Sequence, residues 1–309
     1  MDVVLHLVYL VAGLAVLWKC ADLLVSGAVG LAERLGISSL VIGLTVVAMG
    51  TSAPEVAASI AGVLSGPEGG DIAVGNVFGS NVANLALVGG LIAILRPLRI
   101  KKKTLMREVP VMLLVALLLW PVLRDCRISR VEGISLLAVF AGLIVLTLDI
   151  ARREGRGCDA DIEIPDPDAQ HHPETLSKSI ILVVLGLVGL TAGGRLTVVG
   201  ALFIGDLVGL STDAVSQTII AFGTSLPELV TCVVATLKGE HDISVGNLVG
   251  SNIFNTVLVT GAAGTVRSFD MSERLGAGTD YWIMIGVGVA FAFLAIVGRR
   301  KIGRVGGIF

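Results

Sequence analysis

With 309 residues, 54% hydrophobic side chains, 39 glycines and only 16% charged residues, this chain has the composition of a membrane bundle, and no polar stretch is long enough to enclose a second, soluble core. The net charge of -2 comes with no basic patch interleaved with aromatics, which argues against a nucleic-acid partner. Cys20, Cys126, Cys158 and Cys232 are scattered without a C-x-x-C pair and read as small apolar fillers rather than disulfides or a metal site.

Met1-Asp2 opens without a basic region or a small-residue cleavage pattern, so the first apolar run reads as a retained helix rather than a signal peptide. Apolar runs between polar breaks predict helices over 3–31, 38–64, 71–95, 107–123 and 131–150, then 178–205, 212–237, 242–264 and 281–298. These lengths suit a bilayer, which about 20 helical residues span. Residues 151–177, rich in Asp, Glu and Pro, have the composition of a solvated linker, so the chain divides into 1–150, the linker 151–177, and 178–309.

With the amino terminus outside, sixteen basic residues fall on the cytoplasmic side: Arg34, Arg96, Arg99, Lys101, Lys102, Lys103, Arg107, Arg152, Arg153, Arg156, Lys178, Lys238, Arg299, Arg300, Lys301 and Arg304. Five (Arg124, Arg127, Arg130, Arg267, Arg274) fall outside, and Lys19 and Arg195 lie within spans. This bias predicts an outside amino terminus and a cytoplasmic linker in a multi-pass protein of the cell (inner) membrane.

The two halves repeat each other. The segment from Val47 to Glu55, V-A-M-G-T-S-A-P-E, returns 173 residues later as I-A-F-G-T-S-L-P-E, ending at Glu228. The segment from Asp71 to Asn84, D-I-A-V-G-N-V-F-G-S-N-V-A-N, returns 171 residues later, ending at Asn255. Five spans precede the linker, so the second copy enters the membrane from the opposite side, the inverted-topology arrangement of many secondary transporters.

Glu55 and Glu228 sit deep in apolar spans, where an ionised side chain costs about 2.5 to 3.5 kcal/mol or more. A single such acid is readily explained as protonated or hydrogen-bonded to a neighbour; two of them, duplicated in an inverted repeat, favour an ion site. Thr51 and Glu55, Thr224 and Glu228, Ser80 and Asn84, and Ser251 and Asn255 are each four apart, so each pair shares one helix side. Pro54 and Pro227 cannot donate a backbone hydrogen bond, which predicts freed Gly50 and Gly223 carbonyls and a disturbed turn at Ala48 and Ala221. Carboxylate, hydroxyl, amide and carbonyl oxygens suit hard cations such as calcium and sodium.

Other polar features have plainer readings. Asp71 and Asp242 begin their helices and read as N-caps. Lys19 and Asp22 read as a pair within the first span, with Arg195 at the position of Asp22 in the second repeat. His171-His172 lacks a further ligand at suitable spacing, and Asp159, Asp161, Glu163, Asp166 and Asp168 lack the pattern of an EF-hand loop.

The doubled G-T-S-x-P-E followed by G-N-x-x-G-S-N-x-x-N resembles the paired alpha repeats of the calcium/cation antiporter superfamily, in particular its prokaryotic sodium/calcium exchanger branch. The resemblance extends over nearly the whole chain. It implies an all-α membrane fold of five plus five helices, of which nine are complete here. Lys301 to Ile308 resembles the Arg127 to Ile134 opening of the fifth span, so the tenth helix is expected to be missing from this sequence. By resemblance, Glu55 and Glu228 hold calcium and face sodium; Thr51, Ser52, Thr224, Ser225, Ser80 and Ser251 are hydroxyl or carbonyl ligands; Asn84 and Asn255 are central polar positions; Ala48 and Ala221 are carbonyl ligands for sodium. It also implies that the first and sixth helices slide across the core. A proton-coupled branch carries glutamate within G-N-x-x-E, where this chain has Gly79 and Gly250.

The expected function is therefore electrogenic, potassium-independent sodium/calcium antiport by alternating access, with calcium and sodium as transported substrates, no cofactor and no enzymatic chemistry. The expected partners are these ions and the lipid bilayer, with a monomer as the working unit. A proton/calcium exchanger of the same fold and a cation channel are the alternatives. An intramembrane hydrolase is disfavoured, because neither Ser52 nor Ser225 lies in a G-x-S-x-G elbow.

Overall fold

The computed structural model describes residues 2–156, 175–207, 223–276 and 278–308. Its helices are α1 (Asp2–Leu35), α2 (Ser39–Ser65, broken near its middle), α3 (Gly69–Leu95), α4 (Thr104–Leu123), α5 (Arg130–Arg156), α6 (Leu176–Leu207), α7 (Leu226–Leu237), α8 (His241–Val266) and α9 (Thr279–Val297). All but α7 are long and apolar enough to cross a membrane, and residues 208–222, the beginning of the expected seventh span, lie outside the described residues. Most described helix limits fall within a few residues of the expected ones, because charged and glycine-rich breaks bound the apolar runs, but α5 continues to Arg156, six residues into the expected linker.

The helices form concentric layers. α8 is the centre: Ile243, Val249 and Val259 on it are fully buried. α2 and α3 from the first half enclose it, while α1, α5 and α6 lie at the periphery with broad apolar faces exposed, such as Val4, Val8, Val11 and Trp18 on α1 and Ile181, Val184 and Val188 on α6. An apolar surface on this scale suits lipid rather than water. α1 and α6 make the most extensive helix contact among the described residues. Their closeness depends on Gly186, where a β-carbon would meet the backbone nitrogen of Leu24 at 2.8 Å and the carbonyl oxygen of Cys20 at 2.9 Å. Leu17, Ala21, Leu24, Val25 and Ala28 give α1 its one buried stripe, and Val183 and Leu190 on α6 belong to the same cluster.

Links between the halves obey the repeat. Four two-residue strands, β1 (Leu98–Arg99), β2 (Arg127–Ile128), β3 (Phe269–Asp270) and β4 (Lys301–Ile302), pair antiparallel as β1 with β4 and β2 with β3, so each ribbon joins one half to the other. Arg96 donates to the Thr236 carbonyl at the end of α7 (3.2 Å), and its counterpart Arg267 donates to the Val63 carbonyl near the end of α2 (3.3 Å). Each arginine meets the negative end of a helix from the opposite repeat.

Two expectations need correction. Asp71 and Asp242 are not N-caps: Glu68 and Glu240 occupy the cap positions, without side-chain cap bonds, and the aspartates fall in the first turns. The helices start at Gly69 and His241, so both carboxylates reach across the repeat instead, Asp71 accepting from the Ser272 amide (2.7 Å) and Asp242 pairing with Lys101 (2.7 Å). Asp22 lies 3.6 Å from Lys19 as expected, but its closer partner is Lys238 beyond the end of α7, at 2.7 Å. Ala221, Cys158, His171-His172 and the acidic linker residues lie outside the described residues.

Candidate cation site

The two halves of the site begin at matching breaks. α2 is interrupted at Ser52 (φ -79, ψ 1), and α7 follows Ser225 with nearly the same backbone (φ -85, ψ 1). Pro54 and Pro227 then sit in the first turn of the new segment, where a missing amide hydrogen leaves no helix bond unmade. The Ala48 carbonyl still accepts from the Ser52 amide at 3.0 Å, while a π-helical turn at Gly43–Val47 directly precedes Ala48. Glu55 and Glu228 thereby occupy first turns, close to the positive ends of their helix segments.

Both glutamates are buried, and the halves interlock around them. Ser52 donates to Glu228 Oε1 (3.4 Å) and Ser225 donates to Glu55 Oε1 (3.5 Å), each serine serving the other repeat's carboxylate. Ser225 Oγ also lies 3.2 Å from Ser80 Oγ. Asn84 and Asn255 open widened, π-helical turns at Ala83–Val88 and Asn255–Val259. The first of these turns packs against α7, which carries Glu228; the second packs against the half of α2 that carries Glu55.

Eleven buried side-chain polar atoms among the described residues have no hydrogen-bond partner, and seven belong to this cluster: Glu55 Oε2, Glu228 Oε2, both amide atoms of Asn84 and of Asn255, and Ser251 Oγ. Buried polar atoms are nearly always satisfied, so this concentration sets the cluster apart from the rest of the described core and makes it the candidate site. Among the described residues no three His, Cys, Asp or Glu side chains converge, so a cation at the two glutamates would be completed by neutral oxygens.

The structure therefore brings together Thr51, Ser52, Glu55, Ser80, Asn84, Ser225, Glu228, Ser251 and Asn255 as buried residues on adjoining helices, with Thr224 half-buried beside them. Reasoning from sequence gave no role to Asn76 and Asn247, which match under the repeat. Thr51 donates to Asn247 Oδ1 (3.1 Å), and Thr224 donates to Asn76 Oδ1 (3.4 Å). The signal was present as the asparagine of each G-N-x-x-G-S-N segment, but its partner lies in the other half of the chain.

The family model described as sodium/calcium exchanger protein matches residues 5–148 and 178–309. CaxA of Alkalimonas amylolytica, a proposed antiporter, is 38% identical over 97% of this chain and 93% of its own length. The sodium/calcium exchanger MaX1 of Methanosarcina acetivorans is 32% identical over 88% of this chain and 86% of its own. A structure of the sodium-calcium exchanger NCX_Mj superposes with a TM-score of 0.81 at 29% identity, covering 99% of this chain and 95% of that one. With nearly all-helical architecture, apolar outer faces and an inverted repeat, this chain belongs to the sodium/calcium exchanger protein family and is a multi-pass membrane cation antiporter.

Proposed function

We propose that the chain exchanges sodium for calcium by alternating access, with Glu55 and Glu228 as the charged ligands. The observation that carries this reading is the set of buried, partnerless oxygens gathered on two carboxylates and two amides from opposite repeats. Thr51, Ser52, Ser80, Thr224, Ser225 and Ser251 supply hydroxyl or carbonyl oxygens, Asn84 and Asn255 amide oxygens, and Ala48 and Ala221 backbone carbonyls for sodium.

Charge counting bounds the stoichiometry. With both glutamates ionised the empty site carries -2, and moving it through a low-dielectric barrier is opposed by desolvation, so exchange is obligatory. One calcium neutralises the pair, sodium needs at least two ions to do so, and the third sodium that the family resemblance favours leaves +1, making transport electrogenic. Asn84 and Asn255 are neutral amides, so neither position adds a third carboxylate that could recruit potassium. Proton coupling through a glutamate at the Gly250 position is disfavoured by packing: a β-carbon there would lie 2.7 Å from the Leu44 carbonyl oxygen and 2.8 Å from Ala48 Cβ. The distribution of basic residues supports an inner-membrane protein with its amino terminus outside.

The test is calcium uptake into proteoliposomes driven in turn by outward gradients of sodium, potassium or protons, at clamped voltage. Sodium alone should drive uptake, with a rate that responds to voltage. Uptake that requires potassium, follows the proton gradient or ignores voltage would refute this assignment, and uptake without any counter-ion would indicate a channel.

A further inference from the structure

We propose that Asn247, and its counterpart Asn76, are positioning residues that receive the hydroxyl protons of Thr51 and Thr224, turning the threonine oxygens' lone pairs toward the bound cation. This rests on the cation site proposed above.

A threonine hydroxyl has one proton and two acceptor positions, and it can ligate a cation only if its proton points elsewhere. Thr51 is fully buried beside the Glu228 carboxylate. If Thr51 donated to that carboxylate, it would compete with the ion for the same charge and present a proton to it. The hydroxyl is within hydrogen-bonding reach of that carboxylate and also of Asn247 Oδ1 at 3.1 Å, closer than the Ala48 carbonyl at 3.3 Å, and Asn247 is the side-chain acceptor that draws the proton away from the charge.

The asparagine's own orientation is fixed from behind. Its Nδ2 donates to Cys232 Sγ (3.3 Å), the Cys232 thiol donates to the Ser244 carbonyl (3.5 Å), and the Ser244 hydroxyl donates back to the Cys232 carbonyl (3.1 Å). Flipping the amide would turn its N–H groups toward Thr51 and its oxygen toward the sulfur. The same device recurs in the other half: Asn76 Nδ2 donates to Ser59 Oγ (3.0 Å) and the Glu55 carbonyl (3.3 Å), leaving Oδ1 for Thr224. Ser59 and Cys232 stand 173 residues apart, the same offset as the two glutamates. An asparagine that only filled space would not need its acceptor end on the ligand threonine of the opposite repeat in both copies.

A double-mutant cycle separates positioning from packing. Calcium affinity, read as the half-saturating calcium concentration for sodium-driven flux, is measured for Thr51→Val, Asn247→Ala and the double variant, with Asn247→Ala plus Thr224→Val as the control pair. Asn247→Ala should weaken calcium affinity by about tenfold, equivalent to about 1.4 kcal/mol. It should have less than about a twofold effect once Thr51 is valine, yet keep its full effect beside Thr224→Val. The parallel cycle of Asn76→Ala with Thr224→Val should be non-additive in the same way, and it provides the test if Asn247→Ala does not fold. Additive losses in either cycle, or no loss from the asparagine variants, would overturn the proposal while leaving the cation site standing. Unchanged calcium affinity in Thr51→Val would overturn the proposal together with Thr51's place as a ligand.

Discussion

Glu55 and Glu228 are buried acids whose serine hydrogen bonds from the opposite repeat are long, at 3.5 and 3.4 Å. Long bonds of this kind do little to offset an ionised carboxylate at membrane depth, and in the proposed site the bound ion supplies that compensation. Adding charge here should have a defined cost: Asn255→Asp would make the empty site -3 and the calcium-loaded site -1. We expect tighter calcium binding with slower turnover, read as a fall in both half-saturating calcium and maximal flux; unchanged values would place Asn255 outside the site. The glutamates, serines and threonines were legible in the sequence because their motif occurs twice. Asn76 and Asn247 carried no visible reason for their identity, since the threonine each accepts from lies 148 and 196 residues away. Asp71 and Asp242 were misread for the same reason: an aspartate near a helix start suggests a cap until a cross-repeat partner is seen.

Among the helices, the spans were legible because hydrophobic length and polar breaks are one-dimensional signals. The π-helical turns at Asn84 and Asn255 were not, because an extra residue in a turn of a helix that is apolar on nearly every side alters no periodicity. The α1/α6 contact was equally hidden, since glycine is common throughout the chain and only the structure shows which glycines face a neighbouring backbone. Gly186→Ala should force α1 and α6 apart, lowering the thermal midpoint in detergent by the equivalent of about 1–3 kcal/mol and reducing flux. Gly142→Ala, on α5 with nothing within 4 Å of the new β-carbon, should leave both unchanged. Equal effects from the two variants would mean that the α1/α6 contact is not a constrained interface.

Across the whole molecule, the ties that frame the site come in matched pairs: β1 with β4 and β2 with β3, Arg96 with Arg267, Asn76 with Asn247, Ser52 with Ser225. The duplication was readable from sequence; that each copy completes the other's glutamate was not, because it depends on how the copies cross. One end of the bundle gathers Arg96, Lys101, Lys238 and the Arg300 backbone, and the other gathers Arg127, Arg130 and Arg274. In a variant freed of the native cysteines, Arg130→Cys should react with a membrane-impermeant thiol reagent on intact cells and Arg300→Cys should not; the reverse pattern would invert the proposed topology. The central claim, that the paired glutamates of opposite repeats form one transport site, is tested most directly by sodium-gradient-driven calcium flux in proteoliposomes carrying Glu55→Gln or Glu228→Gln, with folding checked by thermal melting. Both folded variants should lose nearly all exchange, since either removes half of the site's formal charge, and near-normal exchange by either one would contradict the account.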